Sequence, residues 1–192
     1  QDIITAIKKL TTDKTGYYLR ELVPLLDIAQ DKYPLNPTVV PTDSLNNFGS
    51  TLDTLVQEIS EVANSSYDKQ LILSLRSAVY QQVYMREKSN ETMTVRDQCM
   101  ASNISWLVNY RFAGKKVLIW AANYHVAKNI NEKYFPDFSG QFVSMGSFLD
   151  REFGNNLYVL GFSSYKGKAG RVTASKVYQV GKPSKNSFEE WM

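Results

Sequence analysis

The chain has 192 residues, a hydrophobic fraction of 43%, a charged fraction of 21% and a formal net charge of +3. This length is enough for one domain with a sizeable core, and the composition excludes global disorder. No apolar run approaches the roughly 18 residues that a membrane span needs, and the amphipathic N-terminus does not resemble a signal peptide. The single cysteine, Cys99, excludes an internal disulfide. We therefore expect a soluble protein whose compartment the sequence leaves open, with the cytoplasm favoured over secretion.

Helical patterns dominate the first 90 residues. Pro24 predicts a kink or a late start in the second helix, and three prolines between residues 32 and 47 predict an extended connector. The last two helices carry apolar residues at helical spacing and are predicted to pack as an antiparallel pair. The predicted helices span Asp2–Leu10, Tyr17–Gln30, Ser50–Val62 and Tyr67–Glu87.

Two apolar runs in the second half read as buried strands. Val117–Ala121 is uninterrupted by polar residues, as in a strand covered on both faces. Leu157–Phe162 is the second run, and a helix predicted over Ser144–Phe153 lies between them. Strand, helix and strand in this order predict a right-handed βαβ unit and hence a parallel sheet.

These elements together predict an α/β fold. We expect a parallel sheet in the second half of the chain and helices in the first. Residues 1–90 would form the helical part and residues 91–192 the α/β part of a single domain or fragment. A polar, aromatic loop after the first strand, through Pro136 and Gly140, is of the kind that covers sites.

His125, the only histidine, follows the first predicted strand. Ligands of open α/β sheets bind beyond the carboxyl ends of the strands, so we expect a site here, with Asn123 beside His125. On the preceding helix, predicted over 91–110, Arg96 and Asn103 share one face. Arg96 would point at an anionic or carbonyl ligand, or else pair with an acid such as Asp97, which has capping-box spacing from Thr94. His125 would serve acid–base or oxyanion chemistry, or else be a packed, hydrogen-bonded side chain.

Other kinds of site lack the residues they need. A structural zinc site takes about four Cys or His ligands, and the chain has two such residues. No nucleophile elbow, P-loop or dinucleotide-binding glycine motif occurs. Residues 163–185 hold six basic residues and no acid, but they have few aromatics, and we interpret them as a solvated face with a β-hairpin after Gly167. We expect no metal, no cofactor, no nucleic-acid partner and no membrane partner.

Several motifs recur together in the second half of the chain. Residues 95–103 read VRDQCMASN, and residues 116–128 read KVLIWAANYHVAK. The pairing resembles the erythromycin esterase family, whose members carry R-D-x-x-M-A-x-N followed by K-V-x-x-W-A-H-N-x-H-V. The similarity continues through MGSFLDREFGNNLYVLGF at 145–162 and KPSKNSFEEW at 182–191. It therefore covers the chain from Val95 onward in the family's order and spacing.

The resemblance implies an α/β/α fold, that is, a parallel sheet flanked by helices, with an inserted helical hairpin. It also implies hydrolysis of a carboxylic ester, such as a macrolide lactone, by water and without a metal, and hence a link to macrolide resistance. Arg96 matches the arginine of the first motif, Asn103 its asparagine, and His125 the second histidine of the second motif. By this match, His125 and Arg96 would be catalytic, with Arg96 holding the carbonyl or carboxylate. Asn103 and Asn123 would contact a small-molecule ester substrate.

Two departures from the family pattern limit this prediction. Ala122 replaces the first histidine of H-N-x-H, and Ser102 replaces a glutamate common in the first motif. The family's general-base histidine lies in a Gly-x-x-His-Gly segment that this sequence lacks. We therefore expect the C-terminal portion of an esterase-like hydrolase, incomplete relative to the family and inactive alone, either as part of a longer polypeptide or as a reduced homologue. The alternative is a non-catalytic ligand-binding or structural module on the same scaffold.

Overall fold

A computed structural model describes residues 2–11, 13–31, 40–62, 64–89, 91–130, 142–163, 166–170, 176–187 and 190. The chain divides into two compact units, residues 1–157 and 158–192. The predicted division at residue 90 stays a prediction. The helices of the first unit are α1 (Asp2–Leu10), α2 (Thr15–Asp31), α3 (Thr42–Glu58), α4 (Tyr67–Arg86), α5 (Glu91–Trp106), a π-helix (Leu107–Arg111), α6 (Asn123–Val126), α7 (Met145–Phe153) and a 3₁₀ turn (Gly154–Asn156). The second unit contains strands β1 (Gly167–Gly170) and β2 (Val177–Val180).

The main core lies among α1 to α4. Along α3 and its C-cap residue Ile59, large apolar buried residues recur at alternating steps of three and four, as on one face of a helix, at Leu45, Phe48, Leu52, Leu55 and Ile59. They pack with apolar residues of α1, α2 and α4 into a single cluster. The helix predicted over Ser50–Val62 covers only the second half of this face, because α3 spans Thr42–Glu58.

Helices α3 and α4 are antiparallel, as predicted. At one end, Arg86 Nη1 of α4 donates to the carbonyl of Val40, just before α3, at 2.8 Å. At the other end, Lys69 Nζ near the start of α4 donates to the carbonyl of Ser60, just after α3, at 3.0 Å. Helix α4 begins at the N-cap Ser66, whose hydroxyl accepts from the Lys69 backbone N–H at 3.3 Å.

A polar cluster joins these two helices where they cross. The hydroxyl of Tyr80 donates to the Asp53 carboxylate, to which Arg76 Nε also donates. The Arg76 guanidinium lies 5.0 Å from the centroid of the Tyr80 ring. Burial, followed by the hydrogen bond to Asp53, raises the pKa of Tyr80 from 10.0 to about 12.

This shift predicts a loss of stability in alkali. Because the folded pKa is the higher one, its stabilisation is complete below pH 10 and is lost as the pH rises through about 12. In Tyr80→Phe, we expect the fall in unfolding free energy between pH 8 and pH 11 to shrink by up to ~1 kcal/mol, after allowing for solvent screening. Urea unfolding at each pH measures the difference. From pH 6 to pH 8, the difference in unfolding free energy between the variant and the parent chain should stay constant. If the unfolding free energy of the variant fell as much between pH 8 and pH 11 as that of the parent chain, the prediction would be contradicted.

The prediction of a parallel-sheet α/β fold is wrong. Within the described residues, the sheet is a single two-stranded antiparallel pair, with Gly167 opposite Val180 and Gly170 opposite Val177. The hairpin expected in this region is therefore present as strand pairing. The apolar runs expected as central strands, Val117–Ala121 and Leu157–Phe162, lie outside any strand.

The first of these runs shows why the pattern misled. Leu118 is 86% exposed and Trp120 is 81% exposed, whereas a central strand buries both its faces. A strand also needs neighbouring backbone with which to exchange hydrogen bonds, and no such neighbour occurs among the described residues. A continuous apolar run predicts burial only if the rest of the sheet is present.

Several other predictions have different outcomes. Helix α2 continues through Pro24, and α3 begins at Thr42, eight residues before the predicted start at Ser50. The extended connector predicted over residues 32–47 is therefore wrong for residues 42–47, which belong to α3. Its first part, residues 32–39, and residues 131–141 of the predicted loop lie outside the described residues. Among the helices that are described, none is long and apolar enough to cross a membrane.

Candidate active site

Asp97 and His125 form a buried pair at the centre of the candidate site. Asp97 lies in the second turn of α5 and is 0% exposed, and His125 lies in the single turn of α6 and is 5% exposed. His125 Nδ1 is 2.8 Å from one carboxylate oxygen of Asp97 and 3.0 Å from the other. Since a carboxylate only accepts, Nδ1 carries the proton that it donates to Asp97. In the neutral ring, Nε2 is then the nitrogen with a free electron pair.

A backbone group completes the surroundings of the Asp97 carboxylate. The N–H of Met145, the first residue of α7, donates to Asp97 Oδ2 at 2.8 Å. The positive end of the α7 dipole therefore faces the carboxylate and stabilises its negative charge. Asp97 is held from two directions, by the ring that it orients and by the start of a helix.

The start of α7 packs closely against the backbone at the end of α6. A Cβ atom added to Gly146 would lie 2.1 Å from the carbonyl oxygen of Val126 and 2.6 Å from that of Ala127. Real Cβ atoms do not approach so closely, and only glycine fits here. This close approach places the Met145 N–H within reach of Asp97.

Two serines form hydrogen bonds between the start of α7 and the residues that follow α6. Ser144 is the N-cap of α7, and its hydroxyl accepts from the Ser147 backbone N–H at 3.2 Å. The same hydroxyl donates to the carbonyl of Ala127 at 2.6 Å. Ser147 Oγ in turn accepts from the backbone N–H of Asn129 at 3.1 Å. The segment that carries His125 is thus tied to α7 by polar contacts on both sides of Gly146.

The imidazole is packed in apolar surroundings. The Tyr124 ring lies 3.9 Å from it between centroids, inclined at 38°. Ala101, Met145 and Leu149 form a buried cluster between α5 and α7. His125 Nε2 has no hydrogen-bond partner among the described residues. An oriented imidazole with one free nitrogen in a site of low polarity is suited to proton transfer.

The sequence matches one protein family over most of its length. The profile of the family described as "Erythromycin esterase" matches residues 48–192. The chain belongs to the erythromycin esterase family. A protein of Bacillus subtilis (strain 168) named "Putative hydrolase YbfO" is 30% identical over 76 residues, which are 38% of this chain and 16% of that protein. No solved structure matches the chain.

The erythromycin esterase family motifs supply both members of the buried pair. Asp97 is the aspartate of the first motif, and His125 is the second histidine of the second motif. The side chain of Arg96, the motif residue predicted to be catalytic, is half-buried and has no hydrogen bond or ion pair within the described part of the chain. The alternative in which Arg96 pairs with an acid such as Asp97 is not observed among the described residues, where Asp97 accepts from His125 and from the Met145 N–H.

The two residues predicted to bind the substrate lie in different surroundings. Asn103 Oδ1 accepts from Ser74 Oγ of α4 at 3.1 Å and also from Gln70 Nε2, so this side chain joins α5 to α4. Asn123 is exposed at the start of α6. Roles for both in substrate binding stay predictions, as do the catalytic roles of Arg96 and His125.

Asp97 is the site residue that the sequence analysis missed. Its spacing from Thr94 explained it as a helix-start residue, although α5 begins at Glu91. A usable signal was present: Asp97, Ala101 and Ile104 fall on one helical face that is otherwise apolar. A carboxylate on such a face needs a buried partner, and the only histidine was a candidate.

Proposed function

We propose that this chain is part of a hydrolase that cleaves a carboxylic ester or lactone with water and without a metal. The observation that carries the proposal is the Asp97–His125 pair, with Nδ1 bonded to the carboxylate and Nε2 free. Family membership and the similarity to a protein named as a hydrolase support the same reaction class. The substrate would be a small-molecule ester, with a macrolide lactone as one candidate.

The pair suggests a definite sequence of proton transfers. Nε2 of His125 takes a proton from water as the water oxygen bonds to the ester carbonyl carbon. Asp97 stabilises the resulting imidazolium. Nε2–H then protonates the leaving oxygen as the C–O bond breaks, and the products are an acid and an alcohol. Arg96 is proposed to stabilise the oxyanion, since its guanidinium, which has no hydrogen bond or ion pair among the described residues, is available to an anionic group.

We further propose that other polypeptide completes this site. Residues 116–121 lie outside any helix or strand. Leu118 and Trp120 in this segment are exposed, whereas Ile119 and Ala121 pack against the cluster between α5 and α7. In the second unit, Tyr158 is 86% exposed and Leu160 is 61% exposed. Apolar groups exposed in series mark surfaces that a partner covers. The remaining reactive groups would come with that polypeptide.

A turnover assay with ester and lactone substrates tests these proposals. We expect no turnover above background from the 192-residue chain, and turnover once the polypeptide that flanks it in the gene is restored. In the longer protein, His125→Ala should lower kcat by about 10²- to 10⁴-fold. Asp68→Asn is the control, because Asp68 pairs with Lys9 of α1 and neither residue belongs to the candidate site, and it should leave kcat within about twofold.

The possible outcomes separate the proposals. Turnover that survives His125→Ala would overturn the catalytic role of the pair, and turnover by the 192-residue chain would overturn the need for further polypeptide.

The second candidate function is a non-catalytic ligand-binding module. It is favoured by Ala122, which stands at the N-cap of α6 without a side-chain cap, where a histidine would be expected. An ester that binds the longer protein but is never cleaved would support that alternative.

A further inference from the structure

A hollow lies at the C-terminal end of α5. It has a volume of about 480 Å³ and is lined by Ser65, Tyr67, Trp106, Tyr110 and Arg111. This volume falls within the range of small-molecule sites, which combine apolar walls with a few polar groups. The lining has this composition, with three aromatic rings, two of which carry hydroxyls, one guanidinium and one serine hydroxyl.

The hollow is separate from the Asp97–His125 pair. Trp106 follows Asp97 by nine residues on the same helix, a rise of about 13 Å and a rotation of about 180°. Trp106 therefore lies on the opposite side of α5, towards α4, to which Asn103 is also bonded. None of the residues that line the hollow belongs to the candidate active site.

A π-helical turn shapes one wall. The backbone N–H of Phe112 donates to the carbonyl of Leu107 at 2.7 Å, five residues back, and closes a π-turn. Such turns are rare and occur frequently at functional sites. Because a π-turn contains more residues than an α-turn, positions four and five residues beyond Trp106 come to lie on the same side. This is how Tyr110 and Arg111 both line the hollow with Trp106.

The polar side chains that line the hollow have no hydrogen bond or ion pair among the described residues, and Arg111 is the charged one. Trp106 Nε1 is itself buried and lacks a hydrogen-bond partner in the described part of the chain, so Trp106 meets the hollow through its ring and not through its N–H. Arg111 is exposed, and its guanidinium has no ion pair in the described part of the chain. The Tyr67 and Trp106 rings lie 6.0 Å apart between centroids, inclined at 47°. The hollow thus offers aromatic rings and one cation that has no ion pair among the described residues.

We propose that this hollow is a binding site for a planar carboxylate, that is, an aromatic or conjugated organic acid. The carboxylate would pair with the Arg111 guanidinium, whose planar fork matches it. The ring system would pack against the rings of Tyr67, Trp106 and Tyr110. The proposal does not depend on the proposed hydrolase function.

Titration with two matched probes tests the site. We use 2-naphthoate and its neutral amide, 2-naphthamide, and follow the three indole N–H signals by ¹H–¹⁵N NMR, with Trp106→Phe to assign Trp106. We expect submillimolar binding of 2-naphthoate, with the Trp106 signal shifting most. Arg111→Gln should weaken 2-naphthoate about tenfold and change 2-naphthamide less than twofold. Tyr110→Ala should weaken both probes.

Two controls make the result decisive. Lys115→Gln removes an exposed positive charge four residues from Arg111 and outside the hollow, and it should leave 2-naphthoate binding unchanged. Asp97→Asn should also leave it unchanged, which separates this site from the candidate active site. Equal affinity for the two probes, equal losses in Lys115→Gln and Arg111→Gln, or an unmoved Trp106 signal would each overturn the proposal.

Discussion

Replacing Gly146 with alanine is expected to destabilise the first unit by about 3 kcal/mol or more. The added methyl group would lie 2.1 Å from the Val126 carbonyl oxygen and 2.6 Å from the Ala127 oxygen. Backbone atoms, unlike the end of a flexible side chain, cannot turn aside. Either α7 or the segment after His125 must move, and the hydrogen bond from Met145 N–H to Asp97 would be lost with that movement.

Gly16→Ala is the matched control for this change. Gly16 lies in the first turn of α2, where an added Cβ meets nothing within 4 Å. There alanine should be neutral or slightly stabilising, because it is the better helix former. Urea unfolding curves of the two variants give the comparison. Equal midpoints would show that the contact between α7 and residues 126–127 does not set the stability of this unit.

Asp97→Asn is expected to reverse the tautomer of His125 while the fold persists. An asparagine offers one acceptor oxygen and one donor nitrogen in place of two acceptor oxygens. Its oxygen would keep the bond from the Met145 N–H, so its nitrogen must face the imidazole. His125 Nδ1 must then accept, and the ring proton moves to Nε2. The nitrogen proposed to act as a base would no longer have a free electron pair, and kcat of the longer protein should fall about 10⁴-fold.

The ¹⁵N chemical shifts of the imidazole measure this reversal directly. Because the sequence has one histidine, its signals need no assignment by mutation. The parent chain should show Nδ1 protonated, and Asp97→Asn should show Nε2 protonated. Asp97→Ala gives a contrast, since it leaves two buried donors unsatisfied and should cost about 2–5 kcal/mol of unfolding free energy. An unchanged tautomer in Asp97→Asn would contradict the proposed geometry.

Local patterns predicted the helical part of the fold in outline. The periodic apolar residues of α3 and α4 indicated two helices packed antiparallel, because each such face must be buried against a neighbour, but the predicted start of α3 was eight residues late. The strands failed because a strand is stable only with partners, which a single run such as Val117–Ala121 does not reveal. The apolar composition of this run still indicates that an apolar surface would cover it.

The site was predicted in part for a similar reason. His125 was identified because it is unique and follows an apolar run, and Arg96 was chosen over its neighbour Asp97 on motif grounds. Which of two adjacent helix residues faces the histidine depends on how α5 packs against α7. Gly146 and Ser144, whose contacts position α7, are both far from Asp97 in sequence. The spacing of residues within α5 therefore does not predict which of them faces the histidine.

The Asp97 carboxylate relies on a main-chain donor for one of its two supports. An amide of the peptide backbone is the same whatever side chain residue 145 bears, so evolutionary drift at that position would leave this support intact. Proline is the exception, since it has no N–H. It also suits the first residue of a helix, so this one replacement would delete a single hydrogen bond and spare the helix around it.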